Sequence, residues 1–499
     1  MINLRNAKRI VIIGGGIAGW FSALTFRRIA APEVEVLLLE EGADDNKNAI
    51  KGGFSNLVFG LQKNGINIEE FINATKATVK FGSSFEGWRN GSFNDIYFHL
   101  FHSLNGGSEE LEGKTNRTYP LLAGRIAAGL DMFSYFAGFS LINNNATQAQ
   151  AHIALASNRT GLWPSFHFDE NKMADFLKTV AKARGIKHKN LKVEKLILDK
   201  DGKTTALKTP EGNLDVDFVI DASGLRRIGI GETYKQKWQS FSKELILDRI
   251  LPFTIKQPNA NPALYTRSIA MQAGWMWQIP LNDKIGAGYV FSSKHSDELA
   301  AIKEVEAYIG HAIEPQAVMQ FDPGHYENVW CKNVLAVGLS SGFIEPLEAT
   351  SIGHMLKVLE RFENIVNDGH GIIGENTIDT FNQDNQAGWG EMKDFLRLHY
   401  DTSREDTPFW QDAKNAKRST EYQDLCEVLK TRMPRFVDLE AYADFAWQPM
   451  FNTTSWIMVG AALGVIPQQA AYDELATLPK PIFDEVQQYL MRQKQLLSQ

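Results

Sequence analysis

The sequence predicts an α/β fold: a sheet of short buried strands in the first two thirds, with a largely helical module after it. Three observations predict it. Arg9–Ile13 (RIVII) is a compact apolar strand that runs straight into a glycine turn and then a helix with no breaker before Pro32. Phe218–Ala222 (FVIDA) and Asn333–Val337 (NVLAV) are further short apolar runs, ending at Ser223-Gly224 and Gly338, and they read as buried strands. Beyond Ile352 the pattern turns helical. The expected division is a module over 1–360, carrying inserted segments at about 76–150, and a mainly helical module over 361–499.

The first unit is the most explicit. The strand is followed by Gly14-Gly15-Gly16-Ile17-Ala18-Gly19, a helix through Arg27, a second strand Val34–Leu39, and Glu40 at its end. Strand, GxGxxG, helix, strand and acid make up the dinucleotide-binding layout. Gly14 permits the tight turn, Gly16 lets the backbone approach a pyrophosphate, and Gly19 lets helix and strand pack closely. Glu40 stands where a ribose hydroxyl needs an acceptor, and an acid there favours FAD or NAD over NADP.

The loop Glu41–Lys51 is polar, and a helical pattern follows to Phe71. Lys76–Phe101 is rich in aromatics (Phe81, Phe85, Trp88, Phe93, Tyr97, Phe98, Phe101), more in keeping with core than with a lined cavity. Asn143–Gln150 is a polar interruption that reads as a loop or module boundary. Asp169 is placed to cap a helix over Lys172–Arg184, and turns at Asp201-Gly202 and Glu211-Gly212 suggest hairpins. Phe218–Ala222 then returns the chain to the sheet, the interrupted layout of flavoprotein oxygenases. Trp275 and Trp277 alternate, so both indoles face one side of a strand. The strand at Asn333–Val337 passes through Gly338, Ser340, Ser341 and Gly342 to Pro346-Leu347-Glu348, with Thr350 and Ser351 next. On its own this fits an ordinary strand-to-helix turn, but such a turn also aims backbone N–H groups at anions.

Composition narrows the classes. With 499 residues the chain can bury a large core. A net charge of −7 and no dense basic run argue against nucleic acid. Two cysteines, Cys331 and Cys426, match no metal or redox spacing, and no metal is expected. The start, MINLRNAKRI, is too short and polar for a signal peptide, and the longest apolar stretch, Trp456–Pro467, falls short of a membrane span. A soluble cytoplasmic protein is the expectation.

Taken together, these motifs resemble the flavin-dependent halogenases of the tryptophan-halogenase type over essentially the whole chain. Gly14–Trp20 (GGGIAGW) is similar to the family's flavin fingerprint, and Trp275–Pro280 matches its W-x-W-x-I-P motif. Phe166–Asp169, Gly288–Ser293 and Gly342–Ile352 are family-like stretches in the right order. The resemblance implies a Rossmann-like FAD-binding fold of the flavoprotein monooxygenase type with an added, largely helical substrate module. It implies that reduced FAD takes up O2, forms a C4a-hydroperoxide, and turns a halide ion into hypohalous acid. That acid passes to a lysine, and an electron-rich aromatic of the indole type then attacks the halogen.

The family's lysine lies in K-x-x-x-x-F, which Lys76 and Phe81 match, with Lys80 as the competitor; the Lys76 register requires an apparent insertion before Trp88. Glu348 matches the acid that assists the lysine and takes up the ring proton. Gly14, Gly16, Ala18, Gly19, Glu40, Gly338 and Leu347 match flavin-side positions, and Thr350 and Ser351 the halide site. His99, Trp410 and Trp456 are candidates for lining the substrate pocket. Two departures separate this chain from the tryptophan-specific members. Ala349-Thr350-Ser351 replaces Ser-Thr-Gly, and Gly52-Gly53-Phe54-Ser55 stands where Gly-Glu and a small hydroxyl residue are usual. The expected partners are a small aromatic substrate and, with no second nucleotide fingerprint, a separate flavin reductase supplying FADH2; no membrane partner is expected and a homodimer is left open. The competing readings are a flavin-dependent aromatic hydroxylase, which would normally carry Gly-Asp where this chain has Gly338-Leu339, and a non-catalytic flavin-binding scaffold.

Overall fold

The computed structural model describes residues 1–42, 49–92, 94–102, 118–157, 160–258, 261–442 and 449–497. Phe93 and part of the Glu41–Lys51 loop lie outside the described residues.

Strand β1 (Arg9–Ile13), helix α1 (Ile17–Ile29) and strand β2 (Glu35–Glu40) form as the sequence predicts. β1 and β2 run parallel, Ile10 beside Val36 and Ile13 beside Leu39. Four of β1's five residues are buried, because both faces of a parallel sheet are covered. Phe218–Asp221 returns to the other side of β1, also parallel, with Phe218 beside Ile10. Val334–Ala336 extends the sheet parallel to it, Trp330–Cys331 closes one edge antiparallel, and Lys187–Asn190 flanks β2.

A second sheet carries the Trp-x-Trp strand. Its seven strands run in the order Met319–Gln320, Arg249–Lys256, Lys284–Phe291, Gly274–Pro280, Thr266–Ala270, Gly82–Glu86, Ile96–Leu100. The aromatic-rich segment therefore becomes the edge of this sheet: Gly82–Glu86 pairs parallel with Thr266–Ala270 and antiparallel with Ile96–Leu100. Trp275 and Trp277 do share a face, with ring centroids 6.2 Å apart. Trp277 fills the space over Gly288, where any Cβ would meet its ring at 2.1 Å.

A small third sheet positions the site. Ser165–Asp169 lies between Ile50–Gly52 and strand β3 (Thr78–Lys80), antiparallel to both, so Gly52 pairs with His167 and Lys80 with Ser165. Asp169 caps the helix Glu170–Ala183, accepting from the N–H groups of Asn171 and Lys172. The helical pattern before Phe71 resolves into Leu57–Lys63 and helix α2 (Ile68–Thr75), whose N-cap is Asn67. The polar stretch read as a loop at Asn143–Gln150 instead starts a helix, Gln148–Ala156. Thr147 and Gln150 form a reciprocal capping box there, a pattern that needs those polar residues. The hairpins expected around Gly202 and Gly212 form, as Lys195–Leu198, Thr204–Thr209 and Gly212–Asp215. Helices α3 (Thr350–Asp368) and α4 (Glu375–Leu398) open the helical part of the chain. Among the described residues no helix is long and apolar enough to cross a membrane.

Candidate active site

The nucleotide loop has the space its motif requires. Gly14 sits at φ 114°, and a Cβ there would meet the Ala222 carbonyl oxygen at 2.1 Å. On Gly19 a Cβ would meet the Gly14 carbonyl oxygen at 1.9 Å. Gly16 differs: nothing lies within 4 Å of where its Cβ would be, at the start of α1, where N–H groups have no helical acceptor. That open cradle fits the pyrophosphate of FAD. Glu40 ends β2 within reach of the glycine loop and is held by Lys178 at 2.8 Å and His188 at 2.7 Å. Burial alone would raise its carboxyl; the Lys178 ammonium and the His188 hydrogen bond outweigh it and keep Glu40 below the ordinary carboxylate range, an acceptor for a ribose hydroxyl. Gly338, at φ 67°, abuts Ala18, so the turn after Val334–Ala336 forms the second wall of the same cleft. Leu347 is fully buried just beyond it.

Glu348 and Ala349 both sit in the left-handed region, at φ 62° and 57°, which non-glycine residues occupy only when their surroundings hold them there. Ala349 is the N-cap of α3 and offers no side-chain acceptor, so the first-turn N–H groups of Thr350 and Ser351 are left for another partner. Thr350 is buried with its hydroxyl unpartnered, and Ser351 is half-buried. A long helix's unsatisfied N-terminus with a free hydroxyl fits a halide ion.

The structure separates the two candidate lysines. Lys76 is the left-handed C-cap of α2 and is exposed to solvent, so it does not meet the buried Glu348. This corrects the register expected from Lys76 and Phe81. Lys80, four residues on and ending β3, is 1 % exposed. Its Nζ donates to the Gly53 carbonyl at 3.1 Å and lies 5.0 Å from the centre of the Phe101 ring. Burial pushes its pKa from 10.5 down to about 8, against the pull of the Glu348 carboxylate in the other direction.

Glu348 is gripped on one oxygen. His99 Nδ1 donates to its Oε1 at 2.9 Å, and His399 Nε2 stands 3.3 Å from the same oxygen. The other His399 nitrogen, Nδ1, faces the Tyr97 hydroxyl at 3.0 Å, and the imidazole stacks on Phe85 at 4.4 Å. Tyr97 therefore donates to Nδ1, which leaves the His399 proton on Nε2, toward the carboxylate. Burial would raise the Glu348 carboxyl, but His99 and His399 outweigh it and keep it ionised. Its Oε2 is buried without a partner. His99, expected to line the substrate pocket, thus holds the acid directly.

The remaining candidates take other places. Trp410 is fully buried: its Nε1 donates to the Met271 carbonyl at 2.9 Å and its ring packs edge-on to Trp88 at 5.3 Å. Its ring also packs on Tyr400 at 6.0 Å. Trp456 stands one ring behind His99: Phe395 lies between them, 5.1 Å from Trp456 and 5.5 Å from His99, and the Trp456 N–H is buried and unpartnered. Phe54, in the Gly52–Ser55 stretch, is buried between Phe101 and Phe451, with ring centroids 5.3 and 5.5 Å away. It puts an apolar ring against Phe101, the same ring that Lys80 Nζ lies over. No group of residues suited to a metal ion occurs among the described residues.

The chain was compared with known proteins. The family model for tryptophan halogenase matches residues 9–478. An uncharacterised protein, y4xG, from Sinorhizobium fredii is 39% identical over 494 residues, covering 99% of this chain and 97% of that one. Tryptophan 6-halogenase SttH from Streptomyces toxytricini is 26% identical, covering 94% of this chain and 92% of that one. The solved structure of BrvH, a flavin-dependent halogenase from Brevundimonas sp. BAL3, superposes with a TM-score of 0.79 at 24% identity, covering 97% of each chain. A family match over nearly the whole length, on a chain with a flavin-type nucleotide cradle, places this protein in the tryptophan halogenase family of flavin-dependent oxidoreductases.

Proposed function

We propose that this protein halogenates an electron-rich aromatic of the indole type, with Lys80 presenting the halogen and Glu348 taking up the ring proton. The observation that carries the reading is the pair itself: a buried lysine beside the Phe101 ring and a buried, ionised carboxylate, electrostatically coupled to each other.

FAD, bound along Gly14–Gly19 and Gly338 and reduced by a separate reductase, supplies with O2 and a halide ion the oxidising power that makes hypohalous acid. Thr350 and Ser351 hold the halide. With its pKa near 8, about nine in ten Lys80 side chains are ammonium at pH 7, so Lys80 holds hypohalous acid chiefly as a hydrogen-bond donor. The ring carbon attacks the halogen, the C–X bond forms and the X–O bond breaks. The departing hydroxide takes a proton from Lys80 and leaves as water. The ring proton goes to Glu348 Oε2, the oxygen left free by the two histidines, and its transfer to Lys80 resets the pair. Phe101, Phe54 and Phe451 exclude water from this exchange, which keeps the electrophile from hydrolysis and diffusion.

The test is mass spectrometry of indole-type substrates incubated with FAD, a flavin reductase and chloride or bromide. Halogenated product is expected from wild type and from Lys76→Ala and absent from Lys80→Ala. A hydroxylated product in place of a halogenated one would overturn the reading.

A further inference from the structure

Three residues before Glu348 lies a second buried carboxylate that the proposed chemistry does not use. Glu345 is 1 % exposed. Two donors converge on one of its oxygens: the Tyr400 hydroxyl at 2.6 Å and the Trp275 indole N–H at 3.1 Å. Its Oε2 is buried without a partner. Tyr400 follows His399, the residue that faces Glu348, so two consecutive residues at the end of α4 engage the two carboxylates of one turn. Trp275 ties that turn to the seven-stranded sheet. Pro346, with its φ set by the ring, joins Glu345 to the left-handed pair Glu348-Ala349.

A non-glycine residue in the left-handed region is strained by its Cβ, so Glu348 and Ala349 together would relax unless neighbouring groups held them. The side chain of Ala349 can hold nothing. We propose that Tyr400, Glu345 and Trp275 form a positioning clamp that holds this turn in its left-handed form and so aims Glu348 Oε2 at the substrate. Glu345 acts in it as a fixed acceptor, not as a second acid or base. Burial pushes the Glu345 carboxyl up to about 7, against the Tyr400 and Trp275 bonds; both bonds go to Oε1, so a proton on Oε2 would break neither. The Tyr400 ring is itself fixed, packed against Trp88 at 5.5 Å and Phe409 at 6.3 Å, so removing only its hydroxyl leaves the packing in place.

The inference rests on the proposed function only for what Glu348 does; the clamp itself is read from structure. Tyr400→Phe, Glu345→Ala and Glu345→Gln are each assayed for kcat and KM and crystallised without cofactor. A misaimed reacting group costs about tenfold to a hundredfold, so Tyr400→Phe and Glu345→Ala are expected to lower kcat by that factor with KM for the aromatic unchanged. Their crystals are expected to show Glu348 leaving the left-handed region. Glu345→Gln keeps an oxygen for both donors and is expected to recover most of the kcat that Glu345→Ala loses. The clamp is overturned if Glu345→Gln is as slow as Glu345→Ala while the turn stays in place, since Glu345 would then be exchanging protons. It is equally overturned if Tyr400→Phe keeps both kcat and the turn. If wild type makes no halogenated product but Tyr400→Phe relaxes the turn, the proposed reaction fails and the clamp stands.

Discussion

Replacing Lys80 by methionine should make the protein more stable and leave it without halogenating activity. A methionine keeps most of the lysine's length and apolar contacts but carries no charge and no donor. In the folded protein the Lys80 pKa falls from 10.5 to about 8, and each unit is worth about 1.4 kcal/mol. At neutral pH the buried ammonium therefore costs about 3 kcal/mol, a figure already net of the Glu348 attraction. Because the folded pKa is the lower one, the cost is full below about pH 8 and fades as pH rises toward 10.5. Lys80→Met should accordingly unfold later than wild type at pH 7, by a few degrees for a gain of about 3 kcal/mol, and the advantage should vanish by the top of that window. Product formation should fall by about a hundredfold or more, since positioning and activation of the halogen are lost together. Oxygen consumption with reduced flavin should persist, because the nucleotide cradle is elsewhere in the chain. Paired thermal melts across pH and product assays with a hypohalous-acid scavenger measure both effects. Wild-type halogenation in Lys80→Met would refute the role. A stability change that ignores pH would refute the charge argument behind it.

Glu348→Gln keeps the side-chain shape but removes the proton acceptor, so product should drop by about a hundredfold while flavin reoxidation continues; the Lys80 pKa should also fall below about 8, since the carboxylate is what pulls it up, and the pH profile of residual activity reads that shift. Gly16→Val meets open space in the protein alone, so its melting temperature should match wild type while FAD fluorescence shows no binding. Gly14→Ala, by contrast, collides with the Ala222 carbonyl and should destabilise the protein even without FAD, measurable by thermal denaturation. Phe54→Ala removes a ring packed on Phe101 and Phe451; a large-to-small change of this kind costs about 3–5 kcal/mol, read by denaturant titration, and should let more hypohalous acid escape to a scavenger per flavin oxidised.

The parts of this site that were legible in the sequence are those where local backbone chemistry dictates the residue. GxGxxG is forced by a left-handed φ at Gly14 and by two approaches too close for a Cβ, and so it reads directly. Glu348 was legible only through the resemblance: its turn, bounded by a proline and a helix start, fits an ordinary strand-to-helix connection by itself, and its left-handed φ would favour glycine rather than an acid. What surrounds it was not. His99, His399, Tyr97 and Tyr400 come from two elements some three hundred residues apart, and nothing in the spacing of Leu398-His399-Tyr400 says that its two polar side chains reach separate carboxylates. Trp410's bond to the Met271 carbonyl was likewise not legible from its spacing.

The lysine shows most clearly where pattern gives way to packing. Lys76 has Phe81 five residues on, and Lys80 has Phe85 five residues on, so both satisfy K-x-x-x-x-F. Two local signals separate them. Lys76 follows Asn73-Ala74-Thr75 at the end of an amphipathic helix, where a cation faces the negative end of the helix dipole and belongs in solvent. Lys80 lies between Val79 and Phe81 in a strand whose every residue is buried, a place a charge occupies only at a cost of several kcal/mol unless it has work to do. Taking Lys80 as the start also places Trp88 three residues after Phe85 and removes the insertion that the Lys76 register required. Of the two matching lysines, Lys80 is the one flanked by core residues and the one whose ammonium the fold has desolvated, which under the proposed function lets it donate to hypohalous acid away from water. Lys76→Ala should therefore change neither product yield nor thermal stability, and a loss of halogenation in that variant alone would return the role to the exposed residue.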